Sequence, residues 1–294
     1  MSDIVKTVGG AYLGETNTTN RIGIIAGGGQ FPKLFAEAAK KAGREVVIVA
    51  HRGESWPELE RIADHFCWVK LGQLGKILSF FREHGVAEAA FLGTITKTRI
   101  FKDIWPDMKG ISLWNKIDIR QDDSILRAVA GVLEDEGIRV VESTLFLADL
   151  LFPRGILSKK RPSAEQIEDV RFGWRTARAI GALDIGQCVV VRDRTVLAVE
   201  AIEGTDAAIT RGGTLGREKT VVVKLRKPGQ DFRFDLPAIG ERTIETMEKV
   251  NAVVLAVETG QALLFDRERT LARANRAGIV VMGVGEEADG ELSF

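Results

Sequence analysis

Four polar side chains crowd into "EAIEGTDAAITRGG": Glu200, Glu203, Thr205 and Asp206, set around Gly204. Carboxylates gathered about a glycine after a strand can hold a divalent ion or orient a sugar hydroxyl. The plain alternative is a solvated turn with a helix cap, since Thr and Asp cap helices well. A second stretch, "KPGQDFRFDLPAIG", sets Lys227, Asp231, Arg233 and Asp235 in a segment broken by Pro228, Gly229 and Pro237. Mixed cations and carboxylates are what phosphoryl chemistry uses: the bases neutralise phosphate oxygens, and a carboxylate holds Mg²⁺ or orients water. A solvated loop would carry the same charges. In "RQDDSILR", Asp122 and Asp123 stand at a helix start, as metal or substrate ligands or as acids that the helix dipole favours.

The fourth signal is "IIAGGGQFP", with Gly27, Gly28 and Gly29 and then Gln30. Glycines at a strand-to-helix junction let the backbone approach a ligand, and the helix-start amides can hold an anion. A tight turn would use the same residues. The loop is not a complete fingerprint. A dinucleotide loop wants G-x-G-x-x-G, and Pro32 stands at the third glycine. A Walker loop needs a lysine and a Ser/Thr after its last glycine, which this stretch lacks.

These residues need elements to hold them. "RIGIIA" and "EVVIVA" read as buried strands, with the helix "PKLFAEAAKKAG" between them. The helix "GQLGKILSFFREHG", the strand "AEAAFLG", the helix "DDSILRAVAGVLEDEG" and the strand "IRVVES" continue an alternation over residues 21–150, which predicts a mainly parallel sheet covered on both faces. The texture breaks at "LFPRGILSKKRPSAEQ". A helix follows over roughly 163–180, then a hairpin of "QCVVVRD" and "TVLAVEA" turning at Arg192–Arg194. The strands "TVVVKLR", "AVVLAVE", "ALLFD" and "IVVMGV" and two further helices complete the chain. The expectation is an α/β protein of two domains, an N-terminal Rossmann-like one over 21–152 and a C-terminal mixed α/β one over 163–294. A linker at 153–162 joins them, and residues 1–20 form a poorly fixed tail.

Composition excludes more than it selects. The 41 Lys and Arg balance 41 Asp and Glu over 294 residues, so there is no bulk signal for nucleic acid or a strongly anionic membrane. Neither a membrane span nor a signal peptide is expected. Cys67 and Cys188 lie far apart without motif spacing, which suits two structural thiols in a reducing cytoplasm. His51, His65 and His84 are not paired for zinc, so any metal should be a hard ion held by carboxylates.

"IGIIAGGGQFP", "RGILSKKRPSAEQ", "ALDIGQCVVV", "VLAVEAIEGTDAAI" and "RFDLPAIG" occur together and in this order. With them the chain resembles, from Arg21 to about Gly283, the UDP-2,3-diacylglucosamine pyrophosphatases of the LpxI type, from the lipid A pathway of Gram-negative bacteria. The resemblance implies an active site between two domains and Mg²⁺- or Mn²⁺-dependent cleavage of the pyrophosphate. Water would attack the β-phosphorus, and UMP and 2,3-diacylglucosamine 1-phosphate (lipid X) would leave. It makes Asp235 the essential carboxylate. The family does not reliably carry Asp231, and its "G-D-D-x-L-L-R" pattern appears here with Gln121 for the glycine.

The combined expectation names Asp235 as catalytic. Asp235, Glu203, Asp206, Asp122 and Asp123 are the candidate metal carboxylates. Gly27, Gly28, Gly29, Gln30, Thr205, Lys227 and Arg233 are the candidate substrate contacts. The acyl chains need an apolar surface, for which "LFLADLLFPRG" is a candidate, although it reads more simply as a buried helix. The expected setting is cytoplasmic, with transient contact at the inner-membrane surface, no nucleic acid, and a homodimer compatible with the sequence. Two rival readings are an NADP-dependent oxidoreductase, with Arg52 meeting the 2′-phosphate, and a non-catalytic nucleotide-sugar sensor.

Overall fold

The structure, a computed structural model, describes residues 20–95, 106–114, 124–234 and 236–294. The expected N-terminal tail, apart from Asn20, lies outside the described residues, as do Asp122, Asp123 and Asp235. The chain divides into two compact units, the second comprising residues 124–127 and Val141–Phe294 and the first the remainder.

The first unit runs through Arg21–Ala26 (β1), Phe31–Lys41 (α1), Glu45–His51 (β2), Leu59–Ile62 (α2), His65–Val69 (β3), Leu74–Glu83 (α3) and Glu88–Leu92 (β4). Met108–Trp114 (α4), most of Ser124–Asp135 (α5) and Arg139–Val140 (β5) complete it. The sheet order is β3-β2-β1-β4-β5, and every pairing is parallel. Unbroken apolar runs form its centre. Ile22–Ala26 and Val46–Ala50 are buried along their whole length, the pattern of a parallel sheet covered on both faces. Helix α1 takes Pro32 in its first turn, buries Phe35, Ala36 and Ala39, and ends before Gly43, which has a φ of +79°. The chain winds outward from β1 to β3, then returns to β4 on the other side of β1. The winding therefore reverses between β1 and β4, where open α/β sheets form a crevice at the strands' carboxyl ends.

The second unit contains Gly155–Ile156 (β6), Ala164–Ala182 (α6), Cys188–Arg192 (β7), Thr195–Val199 (β8), Thr205–Gly216 (α7) and Val221–Lys224 (β9). It continues through Ala238–Ile239 (β10), Glu241–Lys249 (α8), Val254–Glu258 (β11), Leu263–Leu264 (β12), Arg267–Ala277 (α9), Val280–Glu286 (β13) and Leu292–Ser293 (β14). Its main sheet follows the order β14-β13-β11-β9-β7-β8, with β6 also on β13. β9, β11 and β13 are parallel, while β7, β8, β6 and β14 run antiparallel to their neighbours, which makes the sheet mixed as expected. Strand alternation separates two apolar layers. Cys188, Val190 and Val222 face Ile209 of α7 and Ile244 and Met247 of α8. Val189, Val191 and Val223 face Val170, Trp174 and Ala177 of α6. Helix α6 begins with a capping box, Ser163 and Gln166 each bonding the other's backbone amide.

Two segments differ from the sequence reading. "LFLADLLFPRG" is not a buried helix. It opens as turns and a three-residue 3-10 turn, Ala148–Leu150, which buries no residue; Leu145 is 47% exposed, and Phe152 alone in the segment enters the core. The bonds Leu145 N to Glu142 O and Leu147 N to Thr144 O are three-residue turn bonds, and Pro153 follows too closely for a helix to extend. Residues 153–162, expected as a linker, are tied to the second unit: Gly155 and Ile156 pair with Gly283 and Met282, and Lys159 N donates to Asn275 Oδ1 at 2.7 Å.

Candidate active site

At the carboxyl edge of the first sheet, the loop after β1 is fastened to the loop after β4. Gly27 N donates to Leu92 O at 2.7 Å, Gly28 N to Thr94 O at 2.7 Å, and Thr94 N to Gly28 O at 3.1 Å. A Cβ on Gly27 would stand 2.5 Å from Thr94 O, so only glycine fits there. The third glycine differs. Gly29 has a φ of +86°, and a Cβ built on it meets nothing within 4 Å. Packing therefore explains Gly27, and the Gly28 amide is already used within the chain. The open face of the loop begins at Gly29 and Gln30, the residue before α1.

Beside this loop sits a polar knot that the sequence did not single out. Ser55 Oγ donates to Ala26 O at 2.7 Å and accepts from His51 N at 2.9 Å. His51 Nδ1 lies 2.9 Å from the same carbonyl, so the proton is on Nδ1. Burial pushes the His51 imidazole below its ordinary value, against the Ala26 bond and the nearby Glu54 charge. Arg52, the cation of the oxidoreductase reading, lies with its guanidinium 5.8 Å from the centre of the Trp68 ring.

The second unit gathers its polar residues where β8, β9 and β11 approach their neighbouring loops. Thr205 opens α7 and donates through Oγ1 to Glu200 Oε1 at 2.8 Å. Glu203 accepts from Arg211 at 2.6 Å, and this bond holds its carboxyl below the usual range. Asp206 pairs with Arg242 at 2.8 Å. Asp206 and Arg211 line a groove of about 600 Å³ that Arg242, Glu245 and Lys249 of α8 complete. Glu203 and Asp206 each face an arginine. Among the described residues, no three His, Cys, Asp or Glu side chains are grouped so as to hold a metal ion.

The next loop starts at the end of β9. Asp231 takes the fork of Arg233 at 2.8 and 3.1 Å, and that bond holds its carboxyl below the usual range. The Arg233 guanidinium lies 4.9 Å from the centre of the Phe234 ring. Lys227 Nζ donates to Asp184 Oδ1 at 2.7 Å. Thus Glu203, Thr205 and Asp206 come together at one helix start, and Lys227 and Arg233 stand on a second loop, paired with Asp184 and Asp231. Buried Lys224 and Glu258 at the strand ends were missed. The available signal was a charge closing an apolar run, "TVVVK" and "VVLAVE", at the strand terminus where α/β proteins place ligands.

A pair of α/β units with charged loops at the strand ends is an architecture that many nucleotide enzymes share. Comparison with known families narrows it: the LpxI N-terminal domain matches residues 21–150 and the LpxI C-terminal domain residues 153–282. The chain belongs to the LpxI family. A relative from Caulobacter vibrioides, described as "UDP-2,3-diacylglucosamine pyrophosphatase LpxI", is 35% identical over 277 residues, covering 90% of this chain and 97% of that protein.

Proposed function

We propose that this protein hydrolyses the pyrophosphate bond of UDP-2,3-diacylglucosamine, releasing UMP and 2,3-diacylglucosamine 1-phosphate in lipid A biosynthesis. The observation that carries the reading is the identity with the Caulobacter protein of that name, which spans both units and nearly the full length of the relative. The chemistry of the loops supports it. Arginine, lysine and helix-start amides suit a diphosphate, and carboxylates suit the orientation of water.

In this reading a water oxygen bonds to the β-phosphorus. The bond from that phosphorus to the bridging oxygen breaks, and the bridging oxygen leaves on UMP. Asp235 is the proposed essential carboxylate, and Mg²⁺ or Mn²⁺ the proposed cofactor. Gly29, Gln30, Thr205, Lys227 and Arg233 are the proposed substrate contacts, with Gly27 and Gly28 shaping the loop. The lipid-linked substrate brings the protein to a membrane surface, although no helix among the described residues is long and apolar enough to cross one.

The test is incubation with UDP-2,3-diacylglucosamine in H₂¹⁸O, with mass analysis of both products. The expected result is UMP without label and the sugar phosphate with one ¹⁸O. Label in UMP would move the attack to the α-phosphorus, and intact substrate would overturn the assignment.

A further inference from the structure

Three exposed aliphatic side chains stand on adjoining turns of the second unit, and neither the core nor the proposed chemistry uses them. Leu183 and Ile185, 71% and 47% exposed, lie between α6 and β7. Ile202, 93% exposed, lies between β8 and α7. The two turns abut. Glu200 N donates to Cys188 O at 2.8 Å, and a Cβ on Gly186 would stand 2.0 Å from Glu200 O, an approach that only glycine permits. A third loop closes on the same edge: a Cβ on Gly181 would come within 3.2 Å of Pro228 Cδ, and Pro228 is itself exposed. A single exposed aliphatic side chain is ordinary, whereas several on adjoining turns mark a surface that meets an apolar partner.

The ionised groups beside these side chains pair off. Asp184 accepts from Lys227 Nζ at 2.7 Å, Glu203 accepts from Arg211 at 2.6 Å, and Asp206 pairs with Arg242 at 2.8 Å. Matched charges give little to draw an acidic or a basic partner, so apolar area is what these turns present. The same bonds set them on the rim of the proposed site. Asp184, between Leu183 and Ile185, holds Lys227, and Ile202 shortly precedes Thr205. Lys227 and Thr205 are both proposed substrate contacts.

We infer that Leu183, Ile185 and Ile202 form a docking tip that inserts into the acyl region of a lipid bilayer. The inference rests on the proposed function in one respect: a substrate with two acyl chains resides in a membrane, so the rim of its site must meet the lipid surface. The aliphatic side chains make that contact by leaving water for hydrocarbon. Because the neighbouring charges are paired, adhesion follows apolar transfer rather than attraction to anionic headgroups, and it tolerates salt. Three side chains give weak, reversible adhesion, which lets the protein leave the surface after turnover.

The test is co-sedimentation of the full chain with phosphatidylcholine vesicles at low and high salt, on wild type, Leu183→Asp, Ile202→Asp and Ile202→Trp. Wild type should bind, with less than about a twofold change between the salts. Each aspartate variant should lower the partition coefficient about tenfold or more. Ile202→Trp should raise it, and brominated acyl chains should quench its fluorescence beyond the wild-type level. If circular dichroism shows Leu183→Asp unfolded, Leu183→Ser replaces it under the same criterion. No binding by wild type, or equal binding by all four proteins, would overturn the docking tip. Binding only to vesicles containing phosphatidylglycerol, and lost in high salt, would overturn it in favour of an electrostatic contact. A dimer that Ile202→Asp dissociates in sedimentation equilibrium, with no vesicle binding, would assign the surface to a second copy of the chain. Cleavage of UDP-2,3-diacylglucosamine in detergent micelles by wild type is measured alongside. Cleavage without vesicle binding removes the tip and keeps the function; vesicle binding without cleavage does the reverse.

Discussion

The carboxylate of Glu258 accepts the backbone amide of Arg226 at 2.9 Å, while its other oxygen takes Arg178 Nη2 at 2.8 Å. The root of the loop that carries Asp231 and Arg233 is thereby tied to the end of β11. Arg178 in turn reaches Glu286 at 2.9 Å, on β13. One arginine and two glutamates thus link α6, β11 and β13. Glu258→Ala should cost about 2 kcal/mol, because it removes a charge-assisted bond and orphans an amide. Urea denaturation measures the loss, and hydrogen exchange at Arg226 N should quicken more than exchange in β9. Unchanged exchange would show that the loop is held elsewhere.

The three glycines should respond differently to alanine. At Gly27 the new methyl meets backbone at 2.5 Å, which the fastened loops cannot relieve cheaply. At Gly29 there is room, and the penalty is the positive φ alone, about 1–2 kcal/mol. Gly27→Ala should therefore be the more destabilising in chemical denaturation. Gly29→Ala should retain a folded protein, in which any loss of substrate affinity reports on binding.

Acid should weaken the fold through His51 before it reaches the carboxylates. Burial lowers the folded-state pKa of His51, so the unfolded chain takes up the proton first. Stability is then intact above about pH 6.5 and falls as the pH drops below it. His84 acts with the same sign, burial again being the first cause. Melting temperature should be flat from about pH 8 to 7 and decline from about 6.5 towards 5, and His51→Gln should reduce that slope. An unaltered slope would place the titration at His84 or elsewhere.

Asp235→Ala should bind the nucleotide lipid and hold it uncleaved, with kcat lowered about 10²–10⁴-fold and KM little changed. Asp235→Asn separates two roles in part. Recovery in excess Mg²⁺ would favour a metal ligand, whereas inactivity at every metal concentration would favour a base. Normal turnover by Asp235→Ala would refute the assignment and shift attention to Glu203, Asp206 or Asp122.

EDTA should abolish turnover, and Mg²⁺ or Mn²⁺ should restore it. Full activity in metal-free buffer would remove the cofactor from the proposal.

The elements that were legible in the sequence are those whose order is local. "RIGIIA", "EVVIVA" and "AVVLAVE" are continuous apolar runs, and they became β1, β2 and β11. The hairpin at Arg192–Arg194 formed where expected, although Asp193 and Arg194 take φ of 50° and 54° without glycine. The two-residue strands β6 and β10 carry no period of their own, because distant partners create them. The polar edges divided in the same way. Glu203, Thr205 and Asp206 were visible as a helix start. Burial of Lys224, Glu200 and Glu258 depends on residues brought from elsewhere in the chain, so their identity was legible but their isolation from water was not. Likewise, a string of three glycines does not show that the first answers to Thr94.

The outer flank of β13 carries a consequence for solubility. Its unpaired side is met by β6 at Gly283 and Met282 and by β14 at Gly285 and Glu286, each only two residues long and each running against it. A long bare strand edge invites another chain to add itself, and short interrupted partners deny it that template. β14 lies beyond the span matched by the C-terminal family domain, so this protection is supplied partly by residues outside the shared core. Removing residues 287–294 should leave the sheet folded but sticky, with light scattering that grows with protein concentration.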